Sequence, residues 1–89
     1  MKIKSGFVLD EVGGCYIAVA VGERANEFSS LIKLNSTGAF IWKLMVDKDV
    51  KREDVIEGIL AVYEGVSREQ VAKDVDNILA VFENAGILE

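Results

Sequence analysis

The sequence predicts a small α+β domain in which a three-stranded antiparallel sheet is followed by three helices. Two observations carry this. Apolar residues recur at period two as far as Leu34, as in strands, and at the helical period from there to the end. The change falls inside one stretch, Leu34-Asn35-Ser36-Thr37-Gly38-Ala39-Phe40-Ile41-Trp42-Lys43-Leu44. There Asn35 or Ser36 can cap a helix, because either side chain can accept a bond from a free first-turn amide.

Phe7 to Val12 reads as the first strand. Gly13-Gly14 supplies the positive φ angles of a tight hairpin turn. Cys15 to Val21 is the second strand. Both its faces are apolar, Cys15, Ile17, Val19 and Val21 on one and Tyr16, Ala18 and Ala20 on the other, so periodicity leaves open which is inside. Gly22 to Glu27 is a polar loop. Phe28 to Leu34 reads as the third strand, and three strands joined by short loops suggest a meander.

The first helix is expected over Ser36 to Val46. Its apolar face is Phe40, Ile41, Leu44 and Met45, with Trp42 at the edge of that face. Asp47-Lys48-Asp49 is a charged turn. The second helix starts near Lys51 or Arg52 and carries Val55, Ile56, Ile59, Leu60 and Tyr63 at helical spacing. Glu53 and Asp54 suit the positive end of its dipole. Gly58 costs about 1 kcal/mol relative to alanine there, and it marks either a close helix contact or a tolerated defect. After Gly65, Ser67 and Gln70 fit a capping box. The third helix follows from Arg68 to about Ala85, with Val71, Val75, Ile78, Leu79 and Phe82 as its stripe. Gly86 suits a left-handed position past its end, with Ile87 folding back. The short link between the last two helices is compatible with a winged helix-turn-helix whose wing is N-terminal.

At 89 residues the chain is expected to be one domain, 1–89, and its 51% apolar content is enough for a core. The longest apolar run, Cys15 to Val21, is too short to cross a bilayer. The N-terminus has no signal-peptide pattern, so the expected location is cytoplasmic. The net charge is −5, and residues 51–89 contain four basic and nine acidic residues. That disfavours nucleic acid, whose phosphates require clustered cations, and it disfavours anionic membranes.

Catalytic chemistry finds no support in the residues. Histidine is absent, which removes the commonest general base and metal ligand. Asp10 and Glu11 are adjacent on a strand and point to opposite faces. Ser36 and Thr37 have no base to activate them. Cys15 has no neighbouring cation and reads as an inert core thiol. Asp74 reads as part of a solvated or capping network. The expectation is a protein with no catalytic residue, no metal and no cofactor.

A peptide site is the remaining class. An edge strand can pair with an added strand, and a neighbouring apolar groove can select side chains. On the residues alone, the third-helix stripe is equally a plain core.

The ordered motifs resemble the PqqD-like family, named after pyrroloquinoline quinone synthesis protein D. They are Leu34-Asn35 with Thr37-Gly38-Ala39, Ile41-Trp42 and Leu44, the acidic helix start Lys51 to Val55, and Tyr63 to Val66. Asp74-Val75 and the ending Gly86-Ile87-Leu88 complete the set, so the similarity spans nearly the whole chain. It implies a winged-helix fold and a peptide chaperone, or precursor-peptide recognition element. Such a protein binds the leader of a ribosomally made peptide as an extra strand and presents it to a modifying enzyme, commonly a radical S-adenosylmethionine protein. Carried onto this chain, the strand is Ser30, Leu31, Ile32, Lys33 and Leu34, and the facing helix draws on Asp74, Val75, Ile78, Leu79 and Phe82. The family serves many peptide pathways besides that quinone. Two other classes stand beside this expectation. One is a winged-helix DNA-binding regulator. The other is a structural module that forms a homodimer by pairing its edge strand with itself.

Overall fold

The computed structural model describes residues 1–22, 31–46 and 48–89. Strands β1 (Phe7–Val12), β2 (Cys15–Ala20) and β3 (Ile32–Leu34) form one antiparallel sheet in the order β1-β2-β3. Helices α1 (Ser36–Met45), α2 (Arg52–Val62) and α3 (Arg68–Asn84) follow. The expected α+β architecture, a sheet and then three helices, is the observed one. The expected start of the third strand at Phe28 lies outside the described residues, as does Asp47 of the charged turn.

The hairpin sets the register of the whole sheet. Gly13 and Gly14 have φ of 58° and 82°, the two positive angles of a type I′ turn, whose twist matches that of the strands. The pair that closes such a turn, Val12 and Cys15, exchanges both backbone bonds. In antiparallel strands such pairs alternate with unbonded ones. The Val21 N–H, two pairs beyond Val8–Val19 in the same phase, donates to the Gly6 carbonyl at 2.8 Å. The backbone groups of Tyr16 and Ala18 therefore turn the other way, toward their partners Leu34 and Ile32 on β3.

Packing resolves which face of β2 is inside. Ala18 is buried, and Phe7, Leu9, Ile32 and Leu34 on the same face pack against the core. Cys15 is on the opposite face and is exposed, which corrects the core thiol expected from its apolar strand.

The Asn35 side chain caps α1 by accepting from the Gly38 N–H at 2.7 Å. The Ser67 hydroxyl caps α3 by accepting from the Gln70 N–H at 3.1 Å. The Gln70 side chain does not complete the expected capping box; it reaches forward to Asp74. In α2 the Asp54 carboxylate accepts from the Lys51 N–H at 2.9 Å.

The core lies between the sheet and the helices. Trp42 is 2% exposed, so it belongs to the centre of the α1 face rather than its edge. The reason is Phe82 of α3, which meets it edge-on with ring centroids 5.7 Å apart. Phe40 is instead half-buried and packs edge-on against Tyr63. Val55, Ile56 and Ile59 of α2 complete the centre with Val71, Val75 and Ile87.

Candidate functional site

The candidate site lies where β3 ends and α1 begins, facing one side of α3. Among the described residues β3 has one strand neighbour, β2. Ile32 and Leu34 spend their backbone groups on β2, as the register requires. Lys33, between them, turns its N–H and carbonyl to the outer edge. Its side chain is exposed, and Leu31 beside it is also exposed. Ser30 lies outside the described residues.

Helix α3 presents three sides. Val71, Val75, Leu79 and Phe82 point into the core. Asp76 lies to one side of that stripe and receives Arg52 from α2. Asp74 and Ile78 lie on the flank of the stripe opposite Asp76, because each residue turns the helix by about 100°. Both are half-buried. The structure thus brings Asp74 and Ile78 toward the end of β3 and places Val75, Leu79 and Phe82 behind them in the core.

A polar cavity of about 230 Å³ opens there, lined by Asn35, Thr37, Asp74, Asn77 and Ile78. A smaller apolar recess of about 60 Å³ includes Ile59, Tyr63, Val66 and Val71, and it shares Thr37 and Asp74 with the first. Thr37 and Asp74 wall both, so the two lie side by side and are taken together as the candidate groove. Asp74 accepts from the Gln70 amide at 3.1 Å and keeps further acceptor capacity on its carboxylate. The groove can therefore take an apolar side chain at one end and a hydrogen-bond donor at the other.

The sequence does not mark Asn35, Thr37, Asn77, Tyr63 or Val66 as site residues. Asn35 and Thr37 stand at a helix start, where a capping role already accounts for their polarity. Asn77 stands three residues from Asp74, a helical spacing that places it beside that carboxylate.

The helical half keeps its two arginines occupied. Arg52 reaches Asp76 with two bonds of 2.6 and 3.0 Å, and Arg68 binds Glu57 and Glu53. These contacts hold the Asp76 carboxyl below its usual range and raise both guanidinium groups. Neither arginine is presented for phosphate. Among the described residues no group of three or more His, Cys, Asp or Glu could hold a metal ion. No helix among them is long and apolar enough to cross a membrane.

The sequence profile of the family described as coenzyme PQQ synthesis protein D (PqqD) matches residues 6–88. A solved structure, TbiB1 in complex with the TbiA(beta) leader peptide, is similar over 100% of this chain and 95% of that one. Its TM-score is 0.75 and its identity 24%, a likeness of fold. No curated protein sequence matches the chain significantly.

Proposed function

The chain belongs to the coenzyme PQQ synthesis protein D family, and from that membership we propose that it is a non-catalytic peptide chaperone. It binds the leader of a ribosomally synthesised precursor peptide and presents it to a modifying enzyme of the radical S-adenosylmethionine type. The observation that carries this reading is the edge of β3. Lys33 offers an outward N–H and carbonyl beside a groove walled by Asp74 and Ile78.

The leader adds to the sheet as a fourth strand along Leu31 to Leu34. Backbone pairing supplies affinity that is indifferent to sequence, and the groove supplies selection. A side chain of the leader enters the recess beside Tyr63 and Val66, and a donor from a neighbouring residue meets Asp74. The similarity in fold to a protein solved with a leader peptide supports this reading. The ion-paired state of Arg52 and Arg68 weighs against duplex DNA as the ligand.

An amide NMR titration of the labelled chain with the leader peptide encoded beside its gene tests the proposal. The expected result is shifts concentrated at Leu31 to Leu34, at Asn35 and Thr37, and at Asp74 to Ile78. Shifts confined to other surfaces, or none at millimolar peptide, would overturn it.

A further inference from the structure

A second cavity, of about 520 Å³, lies at the other edge of the sheet. It is built by the N-terminal segment, the start of β1 and the last turns of α1. The segment is held extended against the C-terminus. The Lys4 N–H donates to the Ile87 carbonyl at 2.8 Å and the Glu89 N–H to the Lys2 carbonyl at 2.9 Å, while Ile3 bridges to Leu88 and is buried. Alternation along an extended chain sends Lys2 and Lys4 to the side opposite Ile3.

The cavity lining combines Lys2, Lys4 and Lys43 with the apolar Phe7, Leu9 and Trp42. Among the described residues no carboxylate lines it. Among the described residues none forms an ion pair with these three ammonium groups. Asp49, whose charge Lys2 feels, is already bonded to the Met1 ammonium at 2.8 Å. Lys43 lies in the last turn of α1, whose partial negative charge it answers, and its ammonium is 5.9 Å from the Tyr16 ring centre. Lys2 and Lys4 are thus the more available charges. In a chain of net charge −5, three lysines around an apolar hollow with no carboxylate in its described lining form a local reversal of sign.

We infer that this cavity docks an acidic segment of the modifying enzyme, an apolar or aromatic side chain flanked by carboxylates. The identity of the partner rests on the chaperone reading above. Charge complementarity selects the acidic class, and the hollow takes the apolar anchor. The sheet order places β1 and β3 at opposite edges, so a leader added to β3 leaves this cavity open. One small domain can then hold leader and enzyme together. A second copy offering its acidic helices would join unlike surfaces and grow open chains rather than a closed dimer.

The test uses the full chain, the enzyme encoded beside its gene, and the variant Lys2→Glu/Lys4→Glu/Lys43→Glu. Enzyme affinity is expected to fall about tenfold or more, and in the wild type to weaken with added salt. Leader affinity stays within about twofold, because β3 and its groove are untouched. Unchanged enzyme affinity in the folded variant would overturn the inference. So would concentration-dependent self-association that the same variant abolishes, which would assign the cavity to a second copy. A synthetic peptide with phenylalanine flanked by glutamates separates this inference from the chaperone reading. Where the wild type binds no leader, that reading fails. Peptide-induced shifts at Lys2 to Leu9 then keep the acidic-segment site, and their absence removes it.

Discussion

Gly58 of α2 and Leu44 of α1 touch where a side chain would otherwise stand: a Cβ on Gly58 would lie 2.9 Å from the Leu44 Cδ1. The glycine is thus a close-approach position between helices, not a tolerated defect. Leu44 is half-buried, and the atom in the way is the end of its side chain. In Gly58→Ala the helix gains about 1 kcal/mol in propensity, and displacing the Leu44 methyl costs about 0.5–1.5 kcal/mol. Urea denaturation is expected to show a net change within about 1 kcal/mol. In a Leu44→Ala background the same change should stabilise by about 1 kcal/mol, because the opposing cost is gone.

Arg52 and Asp76 join α2 to α3 through two parallel bonds, and the pair fixes an acid-side dependence. The bond from Arg52 holds the Asp76 carboxyl below its ordinary 3.8. A carboxyl lowered in the folded state stabilises the fold above its unfolded value, and that contribution is lost as pH falls through the folded value. The Arg52→Gln variant should therefore be less stable than the parent at about pH 6, and the gap should close as pH falls below the ordinary carboxylate range. Both groups are exposed, so about 1 M salt should also narrow the gap. A stability difference that is constant across this range would show that the pair is not its source.

The hairpin was legible because Gly13-Gly14 stood between two alternating runs, and a two-residue turn leaves one register. The inner face of β2 was not, since Tyr16, Ala18 and Ala20 are as apolar as Cys15, Ile17 and Val19. Only the burial of Ala18 in the common core decides it, and with it the exposure of Cys15. Trp42 shows the same limit. Helical spacing gave α1 an apolar face but not the Phe82 ring that arrives from α3 to cover its edge. At the groove, Asp74 and Ile78 were named together with Val75, Leu79 and Phe82 because a stripe has no side until its neighbours are placed. The burial of Val71, Val75, Leu79 and Phe82 fixes the rotation of α3, and with Asp76 facing Arg52 on one flank it leaves Asp74 and Ile78 on the other.

The polarity of β3 separates two proline substitutions one residue apart. In Lys33→Pro the lost N–H points to the outer edge, where a proline is tolerated. The variant should fold and lose leader affinity by roughly fivefold or more, the worth of one backbone hydrogen bond of about 1 kcal/mol. In Ile32→Pro the lost N–H faces Ala18, and the sheet itself should be destabilised by about 1–3 kcal/mol, the cost of leaving the Ala18 carbonyl without its donor. Calorimetric titration and thermal unfolding of both variants read the difference. A folded Lys33→Pro chain that binds its leader as tightly as the parent would argue against strand addition on this edge.

Ile78 and Phe82 stand one helical turn apart on α3 and are expected to fail in opposite ways. Ile78 lines the polar cavity and is half-buried, so Ile78→Ser removes apolar surface from the groove while the core stays filled. Leader affinity should fall several-fold, with about 1 kcal/mol or less lost from stability. Phe82 is fully buried against Trp42. Phe82→Leu nearly conserves volume but loses the edge-on ring contact, at a cost of about 1–2 kcal/mol. Leader affinity of the folded fraction should then match the parent's, since no atom of that ring reaches the groove. Urea midpoints and leader titrations on the two variants form a crossed pair. If Phe82→Leu weakened leader binding in a fully folded sample while Ile78→Ser did not, the groove would have to lie on another side of α3.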